Sequence, residues 1–368
     1  MKPAAFLISA LAWASTAQAA GPIPQSELVR EAFKLEVEID GTKLALEGLS
    51  VLPPGDGPFP LALMAHGTPR GGVPAYPTVT PFQFIPQLEE FARRGYAAVI
   101  VLRRGFGQSE GRAVEFTPGC DAQDHVASLR HSGNDMRSIA RALRAQPKLD
   151  MNRFVAVGYS TGGLAVMSMT RERVEGLALV IGFTPTRGSR GPNDTCNAAR
   201  LVEATQEVGM TSRTPTVWIY AANDSFASIP LARRMFDAFR AGGGQGEFVE
   251  LPGWGSDGHN IFSRAGIPDW RPLVDRALAA HGLPNWSAPP PDSGVAELAP
   301  PAGVNAVGWR AYLEAPPFKA FAANGIGSWA YRSGLRSEQA ARNAALSACS
   351  SGGRDPCRIV AVDDALAR

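Results

Sequence analysis

The chain has 368 residues, 45% of them hydrophobic and 19% charged, which is the composition of an ordinary globular protein. Its formal net charge of +2 is spread along the sequence, so nothing in the composition indicates a nucleic-acid partner. A chain of this length has room for one large domain and a small one.

The amino terminus has the pattern of a cleavable signal peptide. Lys2 is followed by an apolar run at residues 6–13, and Ala17-Gln18-Ala19 supplies a cleavage site. The run is too short to span a bilayer, and no later apolar run reaches that length, so we expect no transmembrane segment. Residues 1–19 therefore predict a secreted or periplasmic protein, with a cytosolic amino-terminal helix as the alternative.

The next segments predict strands. Residues 33–39 alternate between apolar and charged side chains, and Asp40-Gly41 makes a turn into a second apolar run at 44–52. The two runs predict a hairpin. Residues 59–65 are continuously apolar, which is typical of a strand buried on both faces of a parallel sheet.

Strands and helices then alternate along the chain. The predicted strands are 96–102, 154–158, 177–183, 217–221 and 247–251, and the predicted helices are 86–94, 136–144, 163–171, 231–240 and 268–280. This order predicts an α/β fold with a doubly wound, mostly parallel sheet. Ligands of such sheets bind beyond the carboxyl ends of the strands.

Composition divides the chain further. We expect a large domain over 20–284, interrupted by a lid at 184–213 that contains a helix at 197–208. Residues 285–317 are rich in proline and alanine and predict a linker. Residues 318–368 predict a small α+β domain with strands at 328–331 and 357–362 and a helix at 337–349, too small to fold without a disulfide.

The four cysteines fit an oxidising compartment, where disulfides form. Three pairings are possible. Cys349 and Cys357 lie close together in the sequence and are expected to pair, which leaves Cys120 with Cys196. Four free buried thiols are the alternative.

Two segments carry the Gly-x-Ser-x-Gly pattern of a serine nucleophile. Ser160 follows an apolar strand and precedes residues 164–169, an uninterrupted helix-compatible run. Ser109 lies several residues beyond its strand and is followed by a segment that ends in a Pro-Gly breaker pair. A sharp strand-to-helix turn exposes the hydroxyl above the sheet, so Ser160 is the candidate nucleophile and Ser109 a loop serine.

A serine hydroxyl needs a base to accept its proton and an acid to orient that base. His259 lies in a glycine-rich loop directly after the last predicted strand, and Asp224 follows the strand at 217–221. The chain order Ser, Asp, His is the one expected for this kind of fold. Asp224 could instead be a capping or turn residue before the next helix. Asp257 is the rival acid, but it lies only two residues before the histidine.

The oxyanion of the reaction needs two hydrogen-bond donors. We expect the main-chain N–H of Thr161, at the start of the helix, and that of Thr68, in the loop after the strand at 59–65. His66 precedes that loop, and the order Ser, Asp, His leaves it no catalytic task. It is therefore expected to be structural.

Two more histidines lie in a polar stretch, His125 and His131, among Asp121, Asp124 and Asp135. Their spacing matches no zinc or iron pattern, so the stretch predicts a solvated surface rather than a metal site. We expect neither a metal nor a cofactor.

Several motifs together resemble the α/β-hydrolase superfamily, and in particular the branch of dienelactone hydrolases, prolyl-oligopeptidase catalytic domains and related esterases. The similarity covers residues 33–283 and rests on AHG at 65–67, RGFGQSEG at 104–111, GYSTGG at 158–163, AND at 222–224 and DGH at 257–259. It implies the fold and a Ser-Asp-His triad. Dienelactone hydrolases proper carry cysteine where this chain has Ser160, and the propeller of prolyl oligopeptidases has no counterpart. The segment from residue 318 resembles small secreted bacterial domains of unknown function.

These observations predict a secreted serine hydrolase, most simply a carboxylesterase, that cleaves small-molecule esters through an acyl-enzyme intermediate. A serine peptidase or amidase with the same residues is one alternative. A non-catalytic, envelope-associated binding protein is another, in which the carboxyl-terminal domain meets a partner that the sequence does not identify. Tyr159, Phe226 and Trp254 are candidates for the pocket wall, with ordinary core packing as the alternative.

Overall fold

The structure, a computed structural model, describes residues 21–70, 72–115, 119–290, 298–351 and 356–367. The predicted signal peptide at 1–19 lies outside these residues. Within them, every helix is too short or too polar to cross a membrane.

An eight-stranded sheet forms the centre of the molecule, in the order β1-β2-β4-β3-β5-β6-β9-β10. Its elements and their flanking segments, in chain order, are β1 (Val29–Ile39), β2 (Thr42–Leu52), β3 (Phe59–Ala65), α1 (Ile85–Ala92), β4 (Ala97–Val101), α2 (His125–Leu143), β5 (Leu149–Tyr159), α3 (Thr161–Ser168), β6 (Leu177–Phe183), β7 (Ser189–Gly191), β8 (Asp194–Thr195), α4 (Ala198–Thr211), β9 (Thr216–Ala221), α5 (Ile229–Ala241), β10 (Gly246–Leu251) and α6 (Ile267–Ala280). Strands β1 and β2 run antiparallel to their neighbours and the remaining pairs are parallel. The predicted doubly wound α/β fold is confirmed.

The apolar runs form these strands because both faces of the sheet are covered. In β5, Ala156 packs into the layer that contains helices α2 to α5. Val155 and Val157 point into the opposite layer, which contains α1 and α6. A strand with helices on both sides has no polar face, so its sequence reads as an unbroken apolar run.

The first hairpin also follows from its sequence. Asp40 and Gly41, the turn residues, both have positive φ angles, 51° and 76°. Two residues of this conformation form the tight turn that suits the twist of antiparallel strands. Strands β1 and β2 then pair along their whole length, from Val29 opposite Leu52 to Ile39 opposite Thr42.

Helix α2 begins eleven residues earlier than the helix predicted at 136–144. The carboxylate of Asp124 caps it by accepting the N–H of Ala127. Its first half is polar yet buried, so it lacks the apolar periodicity that identifies a helix. His125 and Asp135 are fully buried. The prediction of a solvated surface is therefore wrong for His125 and Asp135, whereas Asp121 and Asp124 are exposed as predicted.

A second, antiparallel sheet lies near the carboxyl terminus, in the order β12-β11-β13-β14. Its segment contains α7 (Ala306–Glu314), β11 (Ala320–Ala323), β12 (Trp329–Arg332), α8 (Glu338–Ser350), β13 (Arg358–Val362) and β14 (Ala365–Leu366). Helix α7 occupies the second half of the segment expected to be a linker, and its Trp309 and Tyr312 pack on Phe321. Strands β11 and β14 were not predicted from the sequence.

Both disulfides expected from the sequence are present. Cys120 is bonded to Cys196, and Cys349 to Cys357. The first pair joins the loop before α2 to the segment before α4. The second joins the end of α8 to the start of β13, within the small carboxyl-terminal sheet and its helix.

Candidate active site

Ser160 lies in a sharp turn between β5 and α3. Its backbone angles, φ 57° and ψ −123°, belong to a conformation that L-residues rarely adopt. Gly162 makes the turn possible, because a Cβ there would lie 2.2 Å from the carbonyl oxygen of Ala65 on β3. Gly158 has an equally close neighbour in the carbonyl of Gly162. The glycines of the motif thus let helix, strand and turn approach each other.

The structure brings Ser160, His259 and Asp224 together at the carboxyl edge of the sheet. His259 Nε2 lies 3.0 Å from Ser160 Oγ, and His259 Nδ1 lies 3.1 Å from both carboxylate oxygens of Asp224. The three residues are no more than 4% exposed. An Nδ1–H that donates to the carboxylate leaves the lone pair of Nε2 free to accept the serine hydroxyl.

Asp224 serves two structural purposes at once. Its Oδ1 also accepts the N–H groups of Phe226, at 2.8 Å, and Ala227, at 3.1 Å. Helix α5 has Ser228 as its N-cap residue, so Asp224 stabilises the turn before this helix rather than capping it. A turn role and a triad role are compatible. These donors hold the carboxylate in its orientation toward the imidazole.

Asp257, the rival acid, has different partners. It accepts the N–H groups of Ser225 and His259, each at 3.0 Å, and the hydroxyl of Ser225. These contacts fasten the histidine loop to the turn that carries Asp224. The imidazole ring itself faces Asp224.

Ser109, the rival serine, is a structural residue. Its hydroxyl donates to the carbonyl of Leu102 at 2.8 Å and accepts the N–H of Glu47 at 2.9 Å. The hydroxyl thereby ties the loop after β4 to strand β2. None of its hydrogen bonds among the described residues involves a histidine.

The two threonines proposed as oxyanion donors are neighbours. Thr68 Oγ1 and Thr161 Oγ1 are 2.7 Å apart, and both residues line the cleft above Ser160. Thr161 is the first residue of α3, whose leading N–H groups have no acceptor within the helix. A free donor and the positive end of the helix dipole therefore lie beside the serine.

His66 is buried, and both of its ring nitrogens are occupied. Nδ1 lies 2.7 Å from the carbonyl of Gly67, and Nε2 accepts the N–H of Arg103 at 3.1 Å. Burial and the charge of Arg103 lower the pKa of His66 to about 3, so the ring stays neutral. These contacts fit the structural role expected from the sequence.

A buried charge cluster, Arg103, Glu115 and Arg187, lies beneath the threonines. Burial alone would raise the pKa of Glu115, but the two guanidinium groups outweigh it and hold the pKa at about 2. Arg103 also donates to the carbonyl of His66 at 2.8 Å and to Thr161 Oγ1 at 3.3 Å. Sequence reasoning missed this cluster, because its members lie in loops without periodicity.

A ring stack covers the imidazole. The rings of Phe226 and His259 are nearly parallel, 3.8 Å apart, and the guanidinium of Arg70 lies 3.3 Å from the centre of the phenyl ring. Phe226 was a candidate for the pocket wall, whereas Arg70 was missed. Tyr159 lies 5.2 Å from the imidazole ring. Trp254 instead donates its indole N–H to Asp269, and it is not among the described residues that line the cleft.

The cleft above Ser160 has a volume of about 390 Å³. The segment expected to be a lid, 184–213, supplies one wall through residues 186–190 and Cys196. The disulfide to Cys120 fastens this wall to the loop before α2. In the part of the chain that the structure describes, no three His, Cys, Asp or Glu side chains are arranged to hold a metal ion.

The family model of X-Pro dipeptidyl-peptidases, the S15 family, matches residues 40–224, which is half of the chain. This range includes Ser160 and Asp224 and ends before His259. The comparison with curated proteins finds no match.

Several solved structures are similar to this chain at low sequence identity. An esterase of Pyrococcus furiosus is 14% identical, with a TM-score of 0.46 over 68% of this chain and 93% of its own. The acylaminoacyl peptidase of Pyrococcus horikoshii is 14% identical, with a TM-score of 0.47 over 72% of this chain and 43% of its own. A cold-adapted esterase from an Arctic intertidal metagenomic library is 16% identical, with a TM-score of 0.47 over 69% of this chain and 94% of its own.

Proposed function

This chain belongs to the X-Pro dipeptidyl-peptidase (S15) family, and we propose that it is a serine hydrolase that cleaves carboxylic esters through an acyl-enzyme intermediate. The observation that carries the proposal is the 3.0 Å contact between Ser160 Oγ and His259 Nε2, with Asp224 on the other side of the imidazole. A nucleophile, its base and an orienting acid in this arrangement are what acyl transfer requires.

In the proposed reaction, Ser160 Oγ attacks the acyl carbon while His259 Nε2 takes the hydroxyl proton. Asp224 stabilises the imidazolium that forms. The same proton then passes to the alkoxy oxygen of the leaving group, which departs as an alcohol. Water, deprotonated by His259, attacks the acyl-enzyme and releases the acid.

The negative oxygen of the tetrahedral intermediate would be bound by the N–H groups of Thr161 and Thr68. The hydrogen bond between the two threonine side chains, at 2.7 Å, supports this assignment because it holds both residues at one side of Ser160. Removing one such donor typically lowers the rate on the order of 10²-fold or more.

A serine peptidase is the second candidate, and family membership favours it. The same residues could cleave an amide. A dipeptidyl-peptidase, however, must accommodate a free amino terminus, and its ammonium group is best bound by carboxylates. The described residues that line the cleft include no Asp or Glu but three arginines. This charge supports ester hydrolysis ahead of aminopeptidase-like cleavage.

We propose in addition that the protein works in a secreted or periplasmic compartment. The two disulfides support an oxidising environment. The pattern at residues 1–19 supports export by a signal peptide.

The proposed function is tested by two matched pairs of variants. Ser160→Ala should abolish labelling by a fluorophosphonate probe and lower kcat by about 10⁴-fold or more, because the nucleophile is lost. Asp224→Asn should lower kcat by about 10³ to 10⁴-fold, because the imidazole adopts the wrong tautomer. The controls, Ser109→Ala and Asp257→Asn, should keep the labelling and most of the activity.

Labelling that survives Ser160→Ala but disappears in Ser109→Ala would reverse the choice of nucleophile. A larger loss of kcat in Asp257→Asn than in Asp224→Asn would reverse the choice of acid. Comparing p-nitrophenyl esters with aminoacyl p-nitroanilides separates esterase from peptidase. No labelling and no turnover of either series in the wild-type protein would favour a binding protein.

A further inference from the structure

The walls of the cleft are basic. Arg70, Arg187 and Arg190 line it, without an acidic side chain among the described lining residues. Arg190 is neutralised by Asp194 at 2.9 Å. Arg187 shares Glu115 with Arg103, so that cluster keeps one net positive charge.

Arg70 differs from the other two arginines. Its guanidinium donates to Ser189 Oγ at 3.1 Å and Ser225 Oγ at 3.4 Å, but no carboxylate among the described residues pairs with it. Stacking on Phe226 holds the guanidinium plane in place. Phe226 in turn stacks on the imidazole of His259. The same phenyl ring therefore contacts both the guanidinium of Arg70 and the candidate base. A planar guanidinium held in this way is suited to bind a carboxylate.

Two buried polar atoms of residues that line the cleft have no hydrogen-bond partner among the described residues. Arg187 is 5% exposed and Thr186 is 1% exposed. Arg187 Nε and Thr186 Oγ1 form no hydrogen bond with any described residue. A buried polar group is nearly always hydrogen-bonded in a folded protein, so these two atoms leave unmet hydrogen-bonding capacity in the wall of the cleft.

We propose that the cleft takes esters that carry a second, ionised carboxylate, such as monoesters of short dicarboxylic acids, and that Arg70 binds this carboxylate while the net positive charge of the Arg187 cluster adds to the attraction. The inference rests on the proposed function, since it specifies the substrate of the same site. Water cleaves the bond between acyl carbon and alkoxy oxygen, which yields an alcohol and a dicarboxylate and releases one proton. Electrostatics favours such a substrate over one with a free ammonium, which the basic walls repel.

Two esters of equal chain length test the proposal, mono-p-nitrophenyl glutarate and p-nitrophenyl pentanoate. They differ in that one ends in a carboxylate and the other in a methyl group. We expect kcat/KM of the wild-type protein to be about tenfold or more higher for the glutarate, and this ratio to fall with increasing NaCl because salt screens the attraction. Free glutarate should inhibit the hydrolysis of the pentanoate competitively.

Arg70→Gln should reduce the ratio of the two kcat/KM values by about tenfold, and Arg70→Lys should restore part of it. The ratio isolates the effect of the positive charge, because loss of the contact between Arg70 and Phe226 changes kcat/KM of both esters alike. Arg70 is exposed, so both variants should fold. Arg213→Gln is the matched control, because it removes one exposed positive charge just before β9, at the amino ends of the strands and away from the cleft. It should leave the ratio unchanged.

A wild-type ratio of one or less, or a ratio that Arg70→Gln leaves unchanged, would overturn the proposal while ester hydrolysis by Ser160 still stands. Hydrolysis that persists in Ser160→Ala, or the absence of any hydrolysis, would overturn the proposed function and this inference with it. The two failures are therefore distinguishable.

Discussion

The backbone conformation of Ser160 could be predicted from the residues next to it in the sequence. Its positive φ costs on the order of 1–3 kcal/mol for a residue with a side chain. The N–H of Ser160 donates to the carbonyl of Phe183 on the neighbouring strand, at 2.9 Å, which helps to hold this conformation. Such a turn requires glycines on both sides, and the sequence shows them.

The arginines of the cleft illustrate the opposite case. The ion-pair partner of Arg187 is Glu115, which lies 72 positions away in the chain. Arg70 donates to Ser225, which lies 155 positions away. A charged residue in a loop looks the same in the sequence whether it faces solvent or a binding cleft. Only the packing of distant loops distinguishes the two.

Asp135 allows a prediction at the residue scale. Burial outweighs the attraction of Arg104, 3.1 Å away, and raises the pKa of Asp135 from 3.8 to about 7. Between these two values the folded protein holds a proton that the unfolded chain has lost. The contribution of Asp135 to stability is therefore present at low pH and is lost as the pH rises toward 7.

We expect Asp135→Asn to remove this dependence. From pH 5 to pH 8, the free energy of unfolding of the wild-type protein should fall by about 2–3 kcal/mol relative to the variant. Urea denaturation at the two pH values measures the difference. Asp237→Asn, on the exposed surface of α5, is the control and should follow the wild-type protein. Equal pH dependence of Asp135→Asn and wild type would contradict the prediction.

At the scale of elements, apolar periodicity identified the strands of the central sheet and most helices, and failed where burial was polar. Ser128 and Ser132, in the first half of α2, are buried with their hydroxyls bonded to the carbonyls of Glu115 and Leu129. Polar groups satisfied in this way leave no apolar pattern. Helix α7 was hidden by the proline-rich composition that precedes it.

The disulfide between Cys120 and Cys196 allows a prediction for the wall of the cleft. Cys196 lines the cleft, and its carbonyl accepts a hydrogen bond from His125 at 2.8 Å. The bond joins residues 76 positions apart, whereas Cys349 and Cys357 are 8 apart. Chain entropy therefore assigns about 4.5 kcal/mol of stability to the first disulfide and about 2.5 kcal/mol to the second.

Replacing Cys120 and Cys196 with serine should lower the free energy of unfolding more than replacing Cys349 and Cys357. The first double variant should also raise KM several-fold, because the wall of the cleft is released, and the second should leave KM unchanged. Thermal denaturation and ester kinetics measure both effects. Equal changes of KM in the two variants would contradict a role for the first disulfide in the cleft.

At the scale of the whole molecule, the carboxyl-terminal sheet is docked on the main domain. Arg336 makes a two-pronged ion pair with the buried carboxylate of Glu47 on β2, at 2.8 and 2.9 Å. The hydroxyl of Thr80 donates to the carbonyl of Gly334, and the rings of Phe82 and Phe318 meet edge to face. These contacts join segments more than 200 residues apart in the sequence.

Arg336→Ala should therefore destabilise the whole protein. Glu47 keeps its hydrogen bond from the N–H of Gln108, at 2.7 Å, and Arg336 is partly exposed, so we expect a loss of about 1–3 kcal/mol. Arg332→Ala is the control, since Arg332 is exposed and donates to the adjacent carbonyl of Tyr331. Thermal denaturation of the full chain measures both, and an equal effect of the two variants would contradict the docking contact.

By itself, the sequence determined the fold class, the alternation of strands and helices along the main domain and the strand-to-helix turn at Ser160, because each depends on patterns among neighbouring residues. It also nominated Asp224 and His259, whose catalytic roles stay proposals. Only the tertiary structure decided the distance between imidazole and hydroxyl, the basic walls of the cleft and the docking of the carboxyl-terminal sheet. Burial and charge pairing depend on which distant segments pack together, and local patterns do not encode that.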